Sequence, residues 1–231
     1  MDALPQDFWL DQLGSAPLFN AWVYSRIHPY LGEQIAEIGC GTGTFTTLIA
    51  AQGYTVTGFD IHAPYVEVAT QRLRKFPSCN AICADVTAMP WGDASFDTIV
   101  MLDVLEHIEN DVSLLRKLRD GLASDGRLIL KVPAGRWLYS TMDKAIGHFR
   151  RYSRRSLADT LNRAGFSVMA MRPFNAAAIP GWWLNGRVLK RVTPPANQVV
   201  LFERLVPMVR TVEHALRMPI GISLIAVGTP T

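Results

Sequence analysis

The sequence predicts an α/β fold in which a mostly parallel sheet of seven strands has helices on both faces, with a helical insertion between the sixth and seventh strands. Two observations lead to this prediction. From residue 34 to about residue 172, strand-like and helix-like patterns alternate, as they do in parallel α/β sheets. A stretch of about fifty residues, Pro173–Gly221, then precedes one last strand and is far longer than a usual connection.

The strand candidates are short apolar runs. Most of those in the alternating region are rich in Val, Ile, Leu and Phe, as expected of strands buried on both faces. Asp120-Gly121 and Asp125-Gly126 predict the turn into the fifth strand. The seven candidates are Gln34–Gly39, Tyr54–Phe59, Cys79–Cys83, Asp97–Leu102, Arg127–Val132, Phe166–Arg172 and Ile222–Val227.

The helix candidates lie between these strands and in the insertion. Pro64 suits a first helical turn, and Ser153 is a favourable N-cap for a helix that Gly165 ends. The main candidates are Thr44–Ala51, Pro64–Lys75, Asp111–Leu122, Ser153 to Ala164, and the amphipathic run Val199–Arg217 with Pro207 inside it. We expect one domain, composed of an N-terminal helical segment (1–33), a core (34–172), an insertion or cap (173–221) and a last strand with a tail (222–231).

Composition and charge exclude several classes of protein. Of the 231 residues, 49% are hydrophobic and 19% charged, and the formal net charge of +3 is too small for a nucleic-acid-binding surface. Cys40, Cys79 and Cys83 fit neither a disulfide framework nor a zinc site and are expected to be buried thiols. No secretory signal or membrane-spanning segment is visible. We therefore expect a cytoplasmic protein, with peripheral membrane contact left open.

A glycine-rich segment follows the first strand, in the run Glu37-Ile38-Gly39-Cys40-Gly41-Thr42-Gly43-Thr44. Because glycine has no Cβ, the backbone there can turn sharply and approach a ligand closely. Between a strand and a helix, such a loop is typical of nucleotide binding, with the helix N-terminal amides facing the ligand. Asp60, in Gly58-Phe59-Asp60-Ile61, ends the second strand and can accept hydrogen bonds from both ribose hydroxyls. These features alone also fit NAD.

A second carboxylate separates the possible cofactors. Asp85 ends the third strand in Cys83-Ala84-Asp85-Val86, where it can accept a hydrogen bond from an adenine amino group. Together with Trp91–Val100 and Leu102-Asp103-Val104-Leu105-Glu106-His107-Ile108, these motifs resemble the class I S-adenosylmethionine (SAM)-dependent methyltransferases, and most closely the small-molecule enzymes called type 11 or type 23. The resemblance covers about residues 34–172 and the last strand, and it implies a Rossmann-like, seven-stranded sheet with an antiparallel last strand.

The resemblance also implies which residues contact the cofactor. In that family the methionine part of SAM would lie among Glu37, Gly39, Gly41 and Gly43, the ribose on Asp60 with Ile61, the adenine between Asp85 and Val86, and the methionine amino group near Asp103. Two alternatives stay open: Glu37 as a loop carboxylate and Asp103 as a cap for the following turn. Asp97 is expected to fix the start of its strand and not to contact the cofactor. No metal is expected, and S-adenosylhomocysteine would be the product.

Two histidines compete for the role of a general base. Transfer to an oxygen requires close alignment of the reactants and usually a base, since a neutral hydroxyl attacks poorly. His148, in the run Ala145–Tyr152, is the first candidate, and His107 is the weaker one. Either can have a structural role instead, because His107 can hydrogen-bond its own loop and neighbouring arginines would lower the basicity of His148. The remaining histidines, His28, His62 and His214, are expected to be surface or capping residues.

The candidate acceptor residues are cationic or aromatic. Arg151, in the cluster Arg150–Arg155, suits an acidic group on a substrate, although such a cluster is often solvated. Trp137 and Tyr139 either line the pocket or pack under the cap. Trp182-Trp183, expected in a loop bounded by glycine and proline, predicts an apolar acceptor. The same insertion is also suited to a homodimer interface or shallow membrane contact.

The function favoured is a SAM-dependent methyltransferase acting on a small apolar molecule, with oxygen as the preferred acceptor atom. One alternative is an NAD-dependent oxidoreductase, although Tyr139 and Lys144 are five residues apart and not the four of the short-chain dehydrogenase pair. A nucleic-acid methyltransferase is disfavoured because Thr193-Pro194-Pro195-Ala196 lies far from the fourth strand. A metal-dependent catechol methyltransferase is disfavoured because no Asp-Asn pair follows that strand. A SAM-binding protein without methyl-transfer activity is the remaining alternative.

Overall fold

A seven-stranded sheet lies between two layers of helices in the computed structural model, which describes residues 5–92, 95–216 and 218–231. The strands are β1 (Gln34–Ile38), β2 (Thr55–Asp60), β3 (Asn80–Cys83), β4 (Phe96–Leu102), β5 (Leu122–Pro133), β6 (Phe166–Phe174) and β7 (Ser223–Pro230). Their order is β3-β2-β1-β4-β5-β7-β6, and β7 is antiparallel to both of its neighbours, whereas the pairs among β1–β5 are parallel. The structure thus confirms the predicted mostly parallel sheet and its antiparallel last strand.

Helices precede the sheet, connect its strands and form the insertion. They are α1 (Pro5–Gly14), α2 (Pro17–Ile27), α3 (Thr44–Ala50), α4 (Ala63–Leu73), α5 (Asp111–Asp120), α6 (Thr141–Ala145), α7 (Arg154–Arg163), α8 (Ile179–Trp182), which continues as a π-helix over Trp183–Val188, and α9 (Ala196–Leu216). Ser153 caps α7 as predicted, because its side chain accepts a hydrogen bond from the Ser156 N–H. Within the described residues, no helix combines the length and apolarity that a membrane crossing requires.

The two faces of the sheet carry separate apolar cores. Successive residues of a strand point to opposite faces, and the buried pair Ile99 and Val100 of β4 divides in this way. Ile99 packs with the face covered by α5 and α7, and Val100 packs with the face covered by α2, α3 and α9. Burial of one such side chain stabilises the fold by about 1.5–3 kcal/mol. The sheet is therefore held rigidly from both sides, and its carboxyl edge is a fixed platform.

Three local predictions are wrong. β5 begins at Leu122, and the Asp125-Gly126 pair lies inside the strand, where the register shifts between Phe96 and Thr98 of β4. Trp182 and Trp183 are in the α8 and π-helical segment, not in a loop, because Pro180 occupies the first turn of α8 and does not interrupt it. Cys83 is exposed and Cys79 half-buried, so only Cys40 is the buried thiol expected of all three.

The strand order reverses between β1 and β4, which places a ligand crevice at their carboxyl ends. β1 is followed by β2 on one side, and β4 is followed by β5 on the other. At the opposite edge, Asp97 Oδ2 accepts hydrogen bonds from the Glu33 N–H at 2.8 Å and the Gln34 N–H at 2.9 Å. Asp97 therefore joins the starts of β1 and β4, as the sequence predicts, and lies away from the crevice.

Candidate active site

The glycine loop after β1 has a backbone conformation that favours glycine at three positions. Gly39, Gly41 and Gly43 have φ angles of +72°, +52° and +78°. A Cβ on Gly39 would lie 2.4 Å from Val104 Cγ2, and one on Gly43 would lie 2.9 Å from Ala69 Cβ. The loop is therefore packed between the segment that follows β4 and helix α4, with no room for side chains.

Asp60, the last residue of β2, connects this loop to the start of α4. Its Oδ2 accepts a hydrogen bond from the Gly41 N–H at 2.9 Å, and its Oδ1 accepts one from the His62 N–H at 2.9 Å. Oδ1 also lies 3.3 Å from His62 Nδ1. Because a carboxylate oxygen has two acceptor positions, Oδ2 keeps one for a ligand. The adjacent Ile61 side chain is 60% exposed and offers an apolar surface next to the carboxylate. Together they match the requirements of a ribose and an adenine face.

Asp85 follows β3 and is also fixed by its own loop. Its Oδ1 accepts hydrogen bonds from the Thr87 N–H at 2.8 Å and from Thr87 Oγ1 at 2.7 Å. These hydrogen bonds lower the pKa of Asp85, so the exposed carboxylate stays charged. Val86 is half-buried against the core, and its carbonyl accepts a hydrogen bond from Trp91 Nε1 at 3.0 Å. The loop thus places a hydrogen-bond acceptor, the Asp85 carboxylate, beside the fixed apolar side chain of Val86.

Glu37 and Asp103 have protein partners at the carboxyl ends of β1 and β4. Glu37 is buried under the glycine loop, and its Oε2 accepts a hydrogen bond from Thr46 Oγ1 at 2.5 Å. Burial raises the pKa of Glu37 to about 8. Asp103 has a φ of +56°, which is uncommon outside glycine, and its carboxylate pairs with the buried Lys131 ammonium of β5. Contact of either residue with a cofactor stays a prediction.

Behind Asp103 lies a buried polar cluster that contains both candidate bases. The rings of His107 and His148 are 4.7 Å apart between centroids and almost perpendicular, at 78°. His148 Nε2 lies 3.6 Å from Glu106 Oε1. One ligand atom from each of Glu106, His107 and His148 lies within 4.8 Å of the others. The structure therefore brings together two histidines that are separated by forty-one positions in the sequence.

Asp143 organises this cluster. Its Oδ1 accepts hydrogen bonds from His148 Nδ1 at 3.0 Å and Arg151 Nε at 2.7 Å. Its Oδ2 accepts from the Ser140 N–H and from Ser140 Oγ, in a capping box at the start of α6. Burial alone would raise the pKa of Asp143, but the hydrogen bond from His148 and the charge of Arg151 outweigh it, so the pKa is lowered. Asp143 is therefore a buried, charged and fully hydrogen-bonded carboxylate.

Arg151 is the predicted substrate contact that this arrangement places inside the protein. Besides Asp143, its guanidinium donates to the Ala134 carbonyl at 3.0 Å and lies 4.5 Å above the Trp182 ring. The side chain is 1% exposed. A guanidinium with these partners is a positioning group for His148 and Trp182, and the expected contact with an acidic substrate is not made at the surface.

The histidines differ in their access to solvent. Burial, followed by the neighbouring His148, lowers the pKa of His107 to about 4, so its imidazole is neutral at physiological pH. His107 lines a cleft of about 430 Å³ that extends to Thr87, the hydrogen-bond partner of Asp85, and is bordered by Phe149. His148 is buried behind it. The weaker candidate from the sequence is thus the histidine that reaches the cleft.

The aromatic candidates lie around the cluster without sharing one pocket. Trp137 is 57% exposed and lines a second cavity of about 200 Å³, which does not include His107. Tyr139 donates its hydroxyl hydrogen bond to the His148 carbonyl at 2.7 Å. Trp182 stacks on Trp9 of α1 with ring centroids 5.8 Å apart, whereas Trp183 is 46% exposed. Trp182 therefore connects the insertion to the N-terminal helices, and Trp183 faces outward.

A methyltransferase profile matches the part of the chain that builds this site. The family described as a methyltransferase domain matches residues 36–130, which contain the glycine loop, Asp60, Asp85 and the segment after β4. The strand order and the antiparallel last strand agree with the fold that the resemblance implies. Residues 36–130 are thus similar to the methyltransferase domain family, and the sheet agrees with the class I SAM-dependent type.

Known proteins are similar to this chain over part of its sequence or over its fold. An O-methyltransferase from Penicillium expansum is 36% identical over 109 residues, which are 46% of this chain and 40% of the relative. A demethylmenaquinone methyltransferase from Tropheryma whipplei is 31% identical over 99 residues, or 43% of this chain and 41% of the relative. The matched segments thus span about two fifths of these curated relatives. A SAM-dependent methyltransferase structure from Mesorhizobium loti has a TM-score of 0.64 at 16% identity, covering 92% of this chain and 99% of that one.

The predictions from the sequence do not include three residues of the buried cluster: Asp143, Glu106 and Lys131. Each has a signal in the sequence. Ser140-Thr141-Met142-Asp143 has the spacing of a capping box. Lys131 is a charged residue within an apolar strand, where burial without a partner would be costly. Glu106 lies inside the motif that identified the family, between two residues that were assigned roles. In each case the sequence shows the residue but not its partner, which comes from another element.

Proposed function

We propose that the protein transfers the methyl group of SAM to an oxygen atom of a small, apolar acceptor. The observation that carries this proposal is the cleft of about 430 Å³, because it joins the neighbourhood of Asp85 to His107. A cofactor held at Asp60 and Asp85 and an acceptor held near His107 would then lie on one continuous surface. Such close positioning can lower the barrier by roughly 7–11 kcal/mol.

The residues at the carboxyl ends of β1–β3 fit SAM. We assign the ribose hydroxyls to Asp60, whose Oδ2 keeps one acceptor position beside the Gly41 N–H. We assign the adenine to the surface between Ile61 and Val86, with Asp85 accepting from its amino group. Gly39, Gly41 and Gly43 bring the backbone to the methionine part, and Glu37 and Asp103 complete this end. Glu37 acts here by holding α3 through Thr46.

SAM supplies a methyl group activated on a sulfonium. On transfer the C–S bond breaks, a C–O bond forms and S-adenosylhomocysteine leaves. The proton of the acceptor hydroxyl must then be taken up by a base. For that proton we propose His148. Asp143 accepts from its Nδ1 and would stabilise the imidazolium, which leaves Nε2 as the basic atom. His107, with its pKa lowered to about 4, is the weaker base and forms the cleft wall.

An apolar acceptor is supported by the surroundings of the cluster. Phe149 borders the cleft, and Trp182 packs on the guanidinium of Arg151 that fixes Asp143. We assign the exposed Trp137 and Trp183, together with Tyr139 at the His148 carbonyl, to acceptor entry and selection. An O-methyltransferase and a demethylmenaquinone methyltransferase are among the similar proteins, which supports a hydroxylated, quinone-like or aromatic acceptor.

The test is a methyl-acceptor screen. Purified protein is incubated with SAM and a panel of hydroxylated aromatic, quinol and lipid-like compounds, and products are read by mass spectrometry. The expected result is a gain of one methyl group on at least one hydroxyl compound, with a matching isotope shift when SAM carries a deuterated methyl. The Asp60→Ala variant serves as the negative control. SAM binding without any methylated product across the panel would support a binding protein instead.

We also propose that the insertion rests on an anionic lipid surface. Leu201, Leu205, Met208 and Val212 of α9 are exposed at helical spacing and form one apolar stripe. The π-helical segment Trp183–Val188 exposes further apolar side chains. Residues 173–221 contain six basic and two acidic residues, although the whole chain carries only +3. An apolar stripe flanked by cations suits anionic headgroups.

Vesicle co-sedimentation tests this surface. The expected result is binding to vesicles that contain anionic lipid, weaker binding to neutral vesicles, and loss of binding in a Leu205→Glu, Met208→Glu double variant. The matched control places glutamate at Val68, an exposed apolar residue of α4. A stable dimer by light scattering that the double variant dissociates, without vesicle binding, would assign the stripe to a second copy of the chain.

A further inference from the structure

Glu106 is a buried carboxyl whose oxygens lack partners. Its side chain is fully buried, and neither Oε1 nor Oε2 has a hydrogen-bond partner within residues 5–92, 95–216 and 218–231. A buried carboxyl without a hydrogen bond is costly, so its presence calls for a partner that the protein atoms do not provide. Its Oε1 is directed toward His148 Nε2, at 3.6 Å. The position of this oxygen marks where a missing partner would lie.

His148 keeps one nitrogen lone pair directed away from its hydrogen-bonded partner, and His107 lies next to it. His148 Nδ1 is hydrogen-bonded to the Asp143 carboxylate, which assigns the proton to Nδ1 and the lone pair to Nε2. His107 Nδ1 lies beside Gly147, 3.9 Å from the place a Cβ on that glycine would take. Histidines that ligate metals usually have the arrangement of His148, with the second nitrogen donating to a carboxylate or a backbone carbonyl.

We propose that Glu106, His107 and His148 bind a divalent transition-metal ion, with zinc as the best-matched example. Their ligand atoms lie within 4.8 Å of one another. Two ligands at the usual distances from a tetrahedral zinc ion are about 3.4 Å apart, close to the 3.6 Å between Glu106 Oε1 and His148 Nε2. Two imidazoles and one carboxylate favour zinc and similar ions over magnesium, which prefers oxygen ligands. This site was not expected from the sequence, because no Asp-Asn pair follows β4.

Among the described residues, the Lys131 and Arg151 charges act on Glu106, but neither cation pairs directly with it. Asp103 is paired with Lys131, and Asp143 is paired with Arg151. Both cations are therefore committed to other carboxylates. A bound cation would balance the negative charge of an ionised Glu106. His107 lines the cleft and provides the route by which an ion and an acceptor oxygen reach the same point.

The inference rests on the proposed methyl transfer and deepens it. A metal ion at this place would bind the acceptor oxygen and favour transfer of its proton to solvent water in the cleft that His107 lines. The lone pair of His148 Nε2 would then hold the ion, and the ion would replace His148 as the group that activates the hydroxyl. His148 Nε2 cannot be the general base and a metal ligand at the same time, because both roles use the same lone pair. An experiment can therefore distinguish the two roles.

The test is metal binding by the full-length protein after treatment with a chelator. Zn²⁺ and Mg²⁺ are titrated by calorimetry, and Co²⁺ is titrated by visible absorption, whose intensity reports the coordination geometry. We expect one equivalent of Zn²⁺ to bind, at least tenfold more weakly in Glu106→Gln and in His107→Asn, with Mg²⁺ much weaker. His214→Asn, an exposed histidine on α9, is the matched control and should bind as the wild type does. Thermal unfolding without metal confirms that each variant is folded.

Two outcomes would overturn the site: no saturable binding at one equivalent, or equal binding by the wild type and both variants. SAM affinity and methyl transfer are measured on the same samples. Methyl transfer that persists without any metal binding would reject the metal and retain His148 as the base. Zinc binding without methyl transfer to any acceptor would retain the site and reject the proposed function.

Discussion

The two halves of the candidate site are constructed in different ways. In the cofactor half, after β1–β3, Asp60 and Asp85 accept hydrogen bonds from backbone N–H groups two residues further along the chain. In the acceptor half, after β4 and β5, Asp103 and Asp143 are paired with the side-chain cations of Lys131 and Arg151. The first half keeps acceptor positions for a ligand, and the second satisfies most of its groups internally. Substitutions should therefore affect binding in one half and stability in the other.

The largest effect is expected in the acceptor half, from Asp143→Ala. This substitution leaves the buried Arg151 guanidinium and His148 without their shared partner. Loss of one member of a buried pair costs about 3–5 kcal/mol of unfolding free energy. Urea denaturation should show this loss, while the SAM affinity of the folded protein stays within threefold. Asp159→Ala on the exposed side of α7 is the control, and equal stability of the two variants would contradict the account.

In the cofactor half, Gly39→Ala should weaken SAM binding about a hundredfold, or about 2.7 kcal/mol. The alanine would have to adopt the φ of +72° that Gly39 has, and its Cβ would lie 2.4 Å from Val104 Cγ2. The loop must therefore move away from the position at which its backbone meets the cofactor. Calorimetric titration with SAM measures the effect. Gly181→Ala, where a Cβ meets nothing within 4 Å, should bind SAM normally, and wild-type affinity in Gly39→Ala would be evidence against a close backbone approach.

A pH series tests the one deeply buried carboxyl of the cofactor half. The folded-state pKa of Glu37, about 8, lies above its ordinary value of 4.5. The folded protein then holds an extra proton between these values, so stability is highest below about pH 4.5 and declines as pH rises toward 8, by up to about 1.4 kcal/mol per pH unit. Glu37→Gln keeps the contact with Thr46 and should remove this decline. Parallel urea-denaturation profiles for the wild type and the variant from pH 6 to about pH 8 would contradict the assignment.

Smaller losses are expected from the two carboxylates that follow β2 and β3 toward the crevice. Asp60→Ala and Asp85→Ala should each weaken SAM binding at least tenfold, or about 1.4 kcal/mol, without unfolding the protein. The loss at Asp60 should be the greater, because this residue also holds the Gly41 and His62 N–H groups. Calorimetry gives the affinities and circular dichroism checks the fold. Unchanged affinity in both variants would show that the cofactor lies elsewhere.

The same comparison explains how far the sequence predicts the site. The mostly parallel sheet and its antiparallel last strand are predicted from the sequence, and Gly39 and Asp60 are recognised as candidates from their immediate neighbours. The acceptor half depends on contacts across the fold. The sequence offered Arg151 as a substrate contact, but it has no means of showing that Asp143 and Trp182 enclose it. For the same reason the turn predicted at Asp125-Gly126 is wrong. Residues on both sides of this pair are hydrogen-bonded to β4, so the pair lies within β5.

The account depends most directly on the identity of the cofactor. The decisive measurement is a pair of calorimetric titrations of the wild-type protein, one with SAM and one with NAD, each repeated with Asp85→Ala. We predict saturable binding of one SAM per chain, at least tenfold weaker in the variant, and no heat of binding with NAD. Tight binding of NAD with no heat from SAM would contradict the assignment of the glycine loop and both carboxylates.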